Sequence, residues 1–217
     1  MLFEKVFHTL TLLGNERLQL PIFYESPVSL RFETGDPTLE IFLTEKKLNP
    51  KYLRSALWRA SFLYEKAAPF DTLLWVLYRT PDLDTDVDAI LDRFCRLAHL
   101  PAPAEVYQQE VTTAAEDPMT RILLFWDMQE TPPKVAPLLE AIMRADFKDL
   151  GFRELSSAVF FFDTTRHLLF HPYDDRGVDV VAKTAEDIRF LYEDCKNWLL
   201  AYDMERMQAT FAQTKKP

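Results

Sequence analysis

The chain has 217 residues, 48% of them hydrophobic and 27% charged, a composition that suits one domain with a core of ordinary size. The formal net charge is −9 at pH 7, and the basic residues form no cluster beyond Lys215–Lys216. We therefore expect no nucleic-acid binding, which depends on clustered cations to neutralise phosphates. The sequence has no apolar block of signal-peptide length and no run near the roughly 18 apolar residues of a membrane span. These features predict a cytoplasmic protein that does not bind membranes.

The first two-thirds of the chain predicts helices that alternate with short strands. Asn49 is a good N-cap for the clearest helix, and Pro50 follows it at a position where a missing N–H costs nothing. Pro137 would break the interior of a helix, so the helix in that region is expected to start there. The predicted helices cover residues 2–13, 50–67 and 137–146, and a further helix is predicted from a cap near Asp84 or Thr85 to Ala98. The predicted strands cover residues 29–34, 39–43, 71–79, 104–113 and 121–128.

The last third predicts a β-meander followed by a helix. Its strands are expected at residues 158–162, 167–173 and 178–182. Thr184 and Asp187 form a box-like N-cap for the helix that follows. The order of elements predicts an α+β fold, a mixed and mostly antiparallel sheet covered by helices, with a C-terminal β-meander followed by a long helix. We expect a single domain over 1–217, with an N-terminal helical segment at 1–20 and the meander and terminal helix at 156–213.

The segment Tyr-Asp-Asp-Arg-Gly at 173–177 concentrates ionisable residues. Asp174, Asp175 and Asp179 place three carboxylates close together in the chain, with Arg176 between them. One interpretation is a site for a hard cation or a phosphate. The other is a hairpin turn, in which Gly177 adopts a positive φ and Arg176 pairs with a carboxylate beside the sheet. We favour the turn and keep the ligand site as the alternative.

A second acid–base combination lies on an earlier strand. Arg31 and Glu33 fall on one face of the predicted strand 29–34, where a cross-strand ion pair is the structural interpretation. His167 and His171 are expected to be partly exposed strand residues that do not share a metal ion. The candidate binding residues are therefore Asp174, Asp175, Arg176, Asp179, Arg31 and Glu33, with Gly177 as a structural turn residue.

The sequence predicts no catalytic residue, no metal ligands and no cofactor. It has only four glycines, and it contains none of the Gly-rich nucleotide loops, nucleophile elbows or His-Glu-x-x-His zinc motifs that carry these functions. The two cysteines, Cys95 and Cys195, are widely separated and are expected to be two buried free thiols in a reducing compartment.

The end of the chain resembles a known bacterial family. "YDDRGVDVVAKTAEDIRFLYEDCKNWLLAYDMERMQATF", residues 173–211, is similar to the C-terminal signature of domain of unknown function 3885. Upstream, "SLRFETG" resembles an Ile-Arg-Phe-Glu-x-Gly element of the family, with Leu30 in place of Ile, and "AVFFFDTTRHLLFH" fits the strand pair before the signature. The resemblance spans residues 20 to 211. It implies a fold and no established activity, and by analogy it suggests the setting of small acidic immunity partners of secreted bacterial toxins.

Three classes of function stay open. We favour a non-catalytic binding protein, most concretely a cytosolic immunity protein that neutralises a toxin domain with a basic surface through an acidic, aromatic-containing face. The alternative is an enzyme for a phosphorylated or ADP-ribosyl-type substrate. In that enzyme Asp174, Asp175 and Asp179 would hold Mg²⁺ or act as base, and the two arginines would hold the anion. A structural or regulatory subunit is the third possibility.

Overall fold

A computed structural model describes residues 1–45, 47–79, 86–112, 118–147 and 151–212. The helices within these ranges are α1 (Leu2–Leu12), α2 (Ile22–Glu25), α3 (Pro50–Ala67), α4 (Val87–Ala98), α5 (Val135–Met143), α6 (Arg189–Asp194) and α7 (Met204–Ala212). The strands within them are β1 (Ser29–Glu33), β2 (Phe42–Thr44), β3 (Lys47–Leu48), β4 (Thr72–Arg79), β5 (Glu105–Thr112), β6 (Pro118–Asp127), β7 (Val159–Asp163), β8 (Leu168–Asp174) and β9 (Gly177–Ala182). Most predicted elements are present with ends shifted by one to three residues.

One seven-stranded sheet organises the fold, in the order β1-β9-β8-β7-β4-β6-β5. Every neighbouring pair in this sheet is antiparallel, and the last three strands form the predicted meander. The predicted α+β class is therefore confirmed. The strands β2 and β3 pair separately as a small hairpin. This strand order places β1, from the start of the chain, beside β9, which follows the Tyr-Asp-Asp-Arg-Gly segment.

Both faces of the sheet are covered by helices, because side chains alternate along each strand. On β4, Trp75 points into the larger core with α3, α4 and α5, whereas Leu74 points to the opposite face. There, α1 packs Val6 and Leu10 against the sheet. The β1 end of this second face is covered by the segment after α1. That end holds the candidate site.

Two helices differ from the prediction for clear reasons. Helix α5 begins at Val135, two residues before the proline that was expected to start it. Pro137 lies in the first turn, where backbone N–H groups have no partner inside the helix, so its missing N–H does no harm. The C-terminal helix is not continuous, since 3₁₀ turns and an extended segment separate α6 from α7. There, Leu199 bridges to Phe32 of β1 and the Leu200 N–H donates to the Arg31 carbonyl at 2.9 Å.

Two further expectations concern the cysteines and the membrane. Cys95 is half-buried and Cys195 is buried, and both are free thiols. Across the ranges that the structure describes, no helix combines the length and the apolarity that crossing a bilayer requires.

Candidate functional site

The Tyr-Asp-Asp-Arg-Gly segment forms the tight turn between β8 and β9. Asp174 pairs with Gly177, so the loop consists of Asp175 and Arg176. Gly177 does not have the positive φ that the sequence suggested. Its role is steric, because a Cβ there would overlap the Tyr173 hydroxyl and would lie 2.5 Å from the Phe32 carbonyl oxygen. The turn therefore needs a glycine for space and not for backbone freedom.

The two carboxylates of the turn already have partners inside the protein. Asp174 is fully buried and accepts hydrogen bonds from the Arg176 backbone N–H at 2.8 Å and from its Nε at 2.9 Å. Asp175 is also buried and accepts a hydrogen bond from the Tyr52 hydroxyl of α3 at 2.8 Å. The Arg176 guanidinium stays at the surface and reaches Asp146 at 3.2 Å. The two carboxylates therefore hold the turn to the rest of the fold.

The third predicted carboxylate, Asp179, binds Arg31 across the sheet. The two residues are opposite each other on β9 and β1, and Arg31 donates to both carboxylate oxygens at 2.7 and 2.8 Å. Burial alone would lower the pKa of Arg31, but the hydrogen bonds and charge of Asp179 raise it above its usual range. Phe23 and Tyr24 flank the guanidinium at 4.8 Å each. The expected cross-strand pair therefore forms between Arg31 and Asp179, while Glu33 lies outside it.

These residues surround a pocket of about 670 Å³ at the β1 end of the sheet. Its volume lies within the range of small-ligand sites. The polar side chains that line it are Arg31, Glu33, Asp36, Tyr52, Ser157, His171, Tyr173, Arg176 and Asp179. The larger apolar ones are Leu20, Pro21, Pro37, Leu39, Ile41 and Leu200. Four of the six predicted binding residues thus meet in one pocket, and the other two, Asp174 and Asp175, adjoin it through their bonds to Arg176 and Tyr52.

His171 is a pocket residue whose role the sequence did not indicate. It lies opposite Asp179 on β8, stacks on Phe160 with 4.4 Å between ring centroids, and is 2% exposed, so the expectation of a partly exposed residue was wrong. Neither ring nitrogen has a hydrogen-bond partner of standard geometry within the described chain. Burial lowers the pKa of His171 to about 3 against an opposing looser contact with the Ser157 backbone, and the nearby charge of Arg31 lowers it further, so the ring is neutral at pH 7. The register of the strands places His171 beside Asp179 and Arg31, which sequence spacing alone cannot show.

The second histidine points elsewhere. His167 precedes β8 with a φ of +54° and packs edge-on against His8 of α1. His167 and His171 therefore do not point to a common site. Within the ranges that the structure describes, no three side chains of His, Cys, Asp or Glu come together in a way that could hold a metal ion.

Comparison with known proteins gives the family. The family model for the domain of unknown function DUF3885 matches residues 6–203. The chain belongs to the DUF3885 family. A curated relative, the uncharacterised protein YnaE of Bacillus subtilis (strain 168), is 33% identical over 100 residues, which are 44% of this chain and 46% of the relative. The chain thus spans a little under half the length of the curated relative that it matches. No solved structure matches the chain.

In this DUF3885 chain the three aspartates of the predicted site are bonded within the protein. The carboxylates of Asp174, Asp175 and Asp179 are each engaged by an internal donor. Two of the lining groups that face a ligand are the His171 ring and the Glu33 carboxylate, which makes no ion pair within the described residues. Burial and the hydrogen bond to Asp175 raise the pKa of Tyr52 above its usual range, so its hydroxyl stays protonated at neutral pH.

Proposed function

We propose that this chain is a non-catalytic binding protein and, more specifically, a cytoplasmic immunity protein that binds and neutralises a toxin domain with a basic surface. The observation that carries the proposal is the pocket itself, which combines paired charges, an excess of carboxylates and an apolar entrance. A concave pocket that is partly apolar and has a few convergent polar groups is typical of sites that receive another molecule.

The pairing of the pocket's charges supports binding over catalysis. A general base needs a carboxylate free to take a proton from the substrate. Here, both oxygens of Asp179 accept from Arg31, and Asp174 accepts from Arg176. Asp175 accepts a hydrogen bond from Tyr52. Each carboxylate of the enzyme alternative thus has a partner inside the protein, which favours binding over catalysis on a phosphorylated or ADP-ribosyl-type substrate.

The entrance to the pocket supports a protein partner. Leu20 and Ile41 line the pocket and are still 41% and 38% exposed, and Phe42 and Leu43, next in the chain on β2, are 48% and 53% exposed. Large apolar side chains that remain exposed beside a polar cavity are typical of protein interfaces. The net charge of −9 favours the approach of a basic partner.

A second exposed aromatic cluster fits a basic partner less well. Trp58 is 59% exposed and packs against Phe62 and Trp198. It lies on α3, whose charged residues are Lys51, Arg54, Arg59, Lys66 and a single acid, Glu65. This cluster, defined by Trp58, Phe62 and Trp198, therefore provides a matched control for the pocket entrance.

Co-expression with the product of an adjacent toxin-like gene tests the proposal. We expect a stable complex and protection of the host cell. Ile41→Lys should abolish both by placing a positive charge in the apolar entrance that repels a basic partner, whereas Trp58→Lys should leave both intact. No complex and no protection with the unaltered chain would refute the proposed function, and loss with Trp58→Lys alone would move the interface to α3.

A further inference from the structure

The pocket has an uncompensated negative charge. Asp36 has Arg59 at 3.6 Å, whereas Glu33 has no basic side chain within ion-pair distance among the described residues. Arg59 contacts only the backbone carbonyl of Glu33, at 3.3 Å. In and directly behind the pocket the carboxylates are Glu33, Asp36, Asp174, Asp175 and Asp179, and the guanidiniums are Arg31, Arg59 and Arg176. Within the described ranges the pocket is therefore acidic, and Glu33 faces it without a counter-ion.

His171 adds an independent sign that the pocket is built for a ligand. The ring is 2% exposed, and among the described residues its nitrogens have no hydrogen-bond partner of standard geometry, only a looser contact with the Ser157 backbone. A buried polar group in this state is costly in a folded protein. A neutral imidazole offers one hydrogen-bond acceptor, which an N–H of a ligand could use. Because the ring is uncharged, it does not repel a cation. A ligand that donates a hydrogen bond to His171 would remove the cost of its burial.

The walls of the pocket fit the remainder of such a ligand. Leu20, Pro21, Pro37, Leu39, Ile41 and Leu200 give the pocket an apolar lining around its polar groups. Lysine and arginine side chains combine an apolar stem with a cationic, donor-rich end, and they bury the stem against apolar surface. A lysine or arginine side chain therefore complements both the apolar walls and the negative charge of the pocket.

We propose that this pocket receives a lysine or arginine side chain of the partner protein, with Glu33 as its counter-ion, His171 as a hydrogen-bond acceptor and the apolar wall around its stem. This inference rests on the proposed function, since it names the group by which a basic partner would be recognised. The remaining arginines of the pocket do not compete for Glu33, because Asp179 and Asp174 hold them.

Binding of blocked amino acids to the whole chain tests the inference directly. The probes are Nα-acetyl-arginine amide and Nα-acetyl-lysine amide, with the uncharged citrulline and norleucine analogues as controls, and binding is followed by NMR shift titration. We expect a cationic probe to bind at least about tenfold more tightly than its neutral analogue, because a hydrogen bond between charged groups is lost in the analogue. Glu33→Gln should remove this preference, and Glu65→Gln, an exposed acid on α3, should not.

Several outcomes would overturn the inference. These are equal binding of cationic and neutral probes, no binding of any probe, or an equal effect of Glu33→Gln and Glu65→Gln. His171→Phe keeps the stacking on Phe160 and should weaken the cationic probes without lowering the melting temperature at neutral pH. Tighter binding of agmatine than of blocked arginine would point to a free small cation as ligand and count against a partner side chain.

The same variants separate this inference from the proposed function. If the toxin complex forms equally well with Glu33→Gln and with Glu65→Gln, the partner binds but the pocket does not receive its cation. If the probes bind as expected but the chain protects the host cell against no toxin, the pocket prefers cationic ligands and the immunity role is wrong.

Discussion

Two arginine–aspartate pairs lie around the same hairpin, and they differ in burial. Arg31 and Asp179 sit side by side on neighbouring strands, and the Arg31 side chain is 11% exposed. Arg176 covers Asp174 from the turn, and its side chain is 67% exposed. The chemistry of the pairs is the same, so the difference comes from position alone. A pair within a strand row loses its water on both sides, whereas a pair at a turn keeps water around its cation.

The surroundings of the first pair explain why it is the structural centre of the site. Asp179 also accepts a hydrogen bond from the Phe23 backbone N–H at 3.2 Å, and Asp203 lies 3.8 Å from Arg31. Asp203 in turn accepts a hydrogen bond from the Tyr24 hydroxyl at 2.8 Å. One guanidinium therefore joins β1, β9, the segment at α2 and the start of α7. The comparison shows that the same two residue types can join several elements of a fold at a buried position and contribute little to its stability at an exposed one.

The largest effect is expected from breaking the buried pair. Arg31→Met should lower the free energy of unfolding by about 3–5 kcal/mol, because Asp179 is then buried without a counter-ion. Chemical denaturation measures the loss. The double variant Arg31→Met/Asp179→Leu should recover part of it, since the orphaned charge is gone. A loss below about 1 kcal/mol in the single variant would place this pair in the same class as the exposed one.

The glycine between the two pairs should give the next largest effect. Gly177→Ala should cost about 1–3 kcal/mol, because its methyl group overlaps the Tyr173 hydroxyl and approaches the Phe32 carbonyl. Thermal and denaturant unfolding measure the cost. In a Tyr173→Phe background the same change should cost less, since the hydroxyl is absent. Equal costs in both backgrounds would assign the effect to the β1 backbone, and no cost in either would show that the turn accommodates a side chain.

Low pH should destabilise the folded protein through His171, the buried residue beside Asp179. The ordinary histidine pKa is 6.5, and the folded value is about 3, so between these values the unfolded chain holds a proton that the folded chain does not. Stability therefore falls as the pH falls below about 6.5, by about 1.4 kcal/mol for each pH unit. His171→Phe should lack this contribution, and the difference between the two proteins isolates it from other titrating groups. Parallel stability curves for the two proteins would contradict the burial of a neutral ring.

The elements of the fold were largely predictable from the sequence because they depend on local signals. The Asn49 side-chain oxygen accepts a hydrogen bond from the Lys51 N–H at 3.0 Å, and α3 covers the predicted residues 50–67. The sequence indicates a helix restart at Asp203, but it does not show the extended segment before it, because the chain there leaves the helix to bond the edge strand β1. That bond depends on which strand lies next to the segment in space.

The candidate site was predictable in its residue types and only partly in its pairing. The Asp-Asp-Arg-Gly turn follows from local turn chemistry, so its position was clear. Whether Arg31 pairs with Glu33 or with Asp179 depends on the register between β1 and β9, whose sequence separation is large. His171 joins the same row through the register of β8 with β9. A one-residue shift in either register would have placed these side chains on the opposite face of the sheet.

The smallest effect is expected from the exposed pair. Arg176→Ala should lower the free energy of unfolding by no more than about 1 kcal/mol, because water reaches the guanidinium and the turn backbone still donates to Asp174. Added salt should shrink the difference from the unaltered chain, as screening weakens an exposed pair but hardly a buried one. A loss as large as that of Arg31→Met would erase the distinction between the two pairs.

For Arg176→Ala, the direction of the change in ligand affinity can also be tested. Arg176 lines the pocket with a positive charge, so its removal should leave the affinity for a cationic probe unchanged or raise it modestly. Glu33→Gln should lower the same affinity. Opposite signs for two changes in one pocket would separate an electrostatic preference from general damage to the site, because misfolding weakens binding in both variants. Weaker binding in both, with melting temperatures unchanged, would mean that Arg176 itself contacts the ligand.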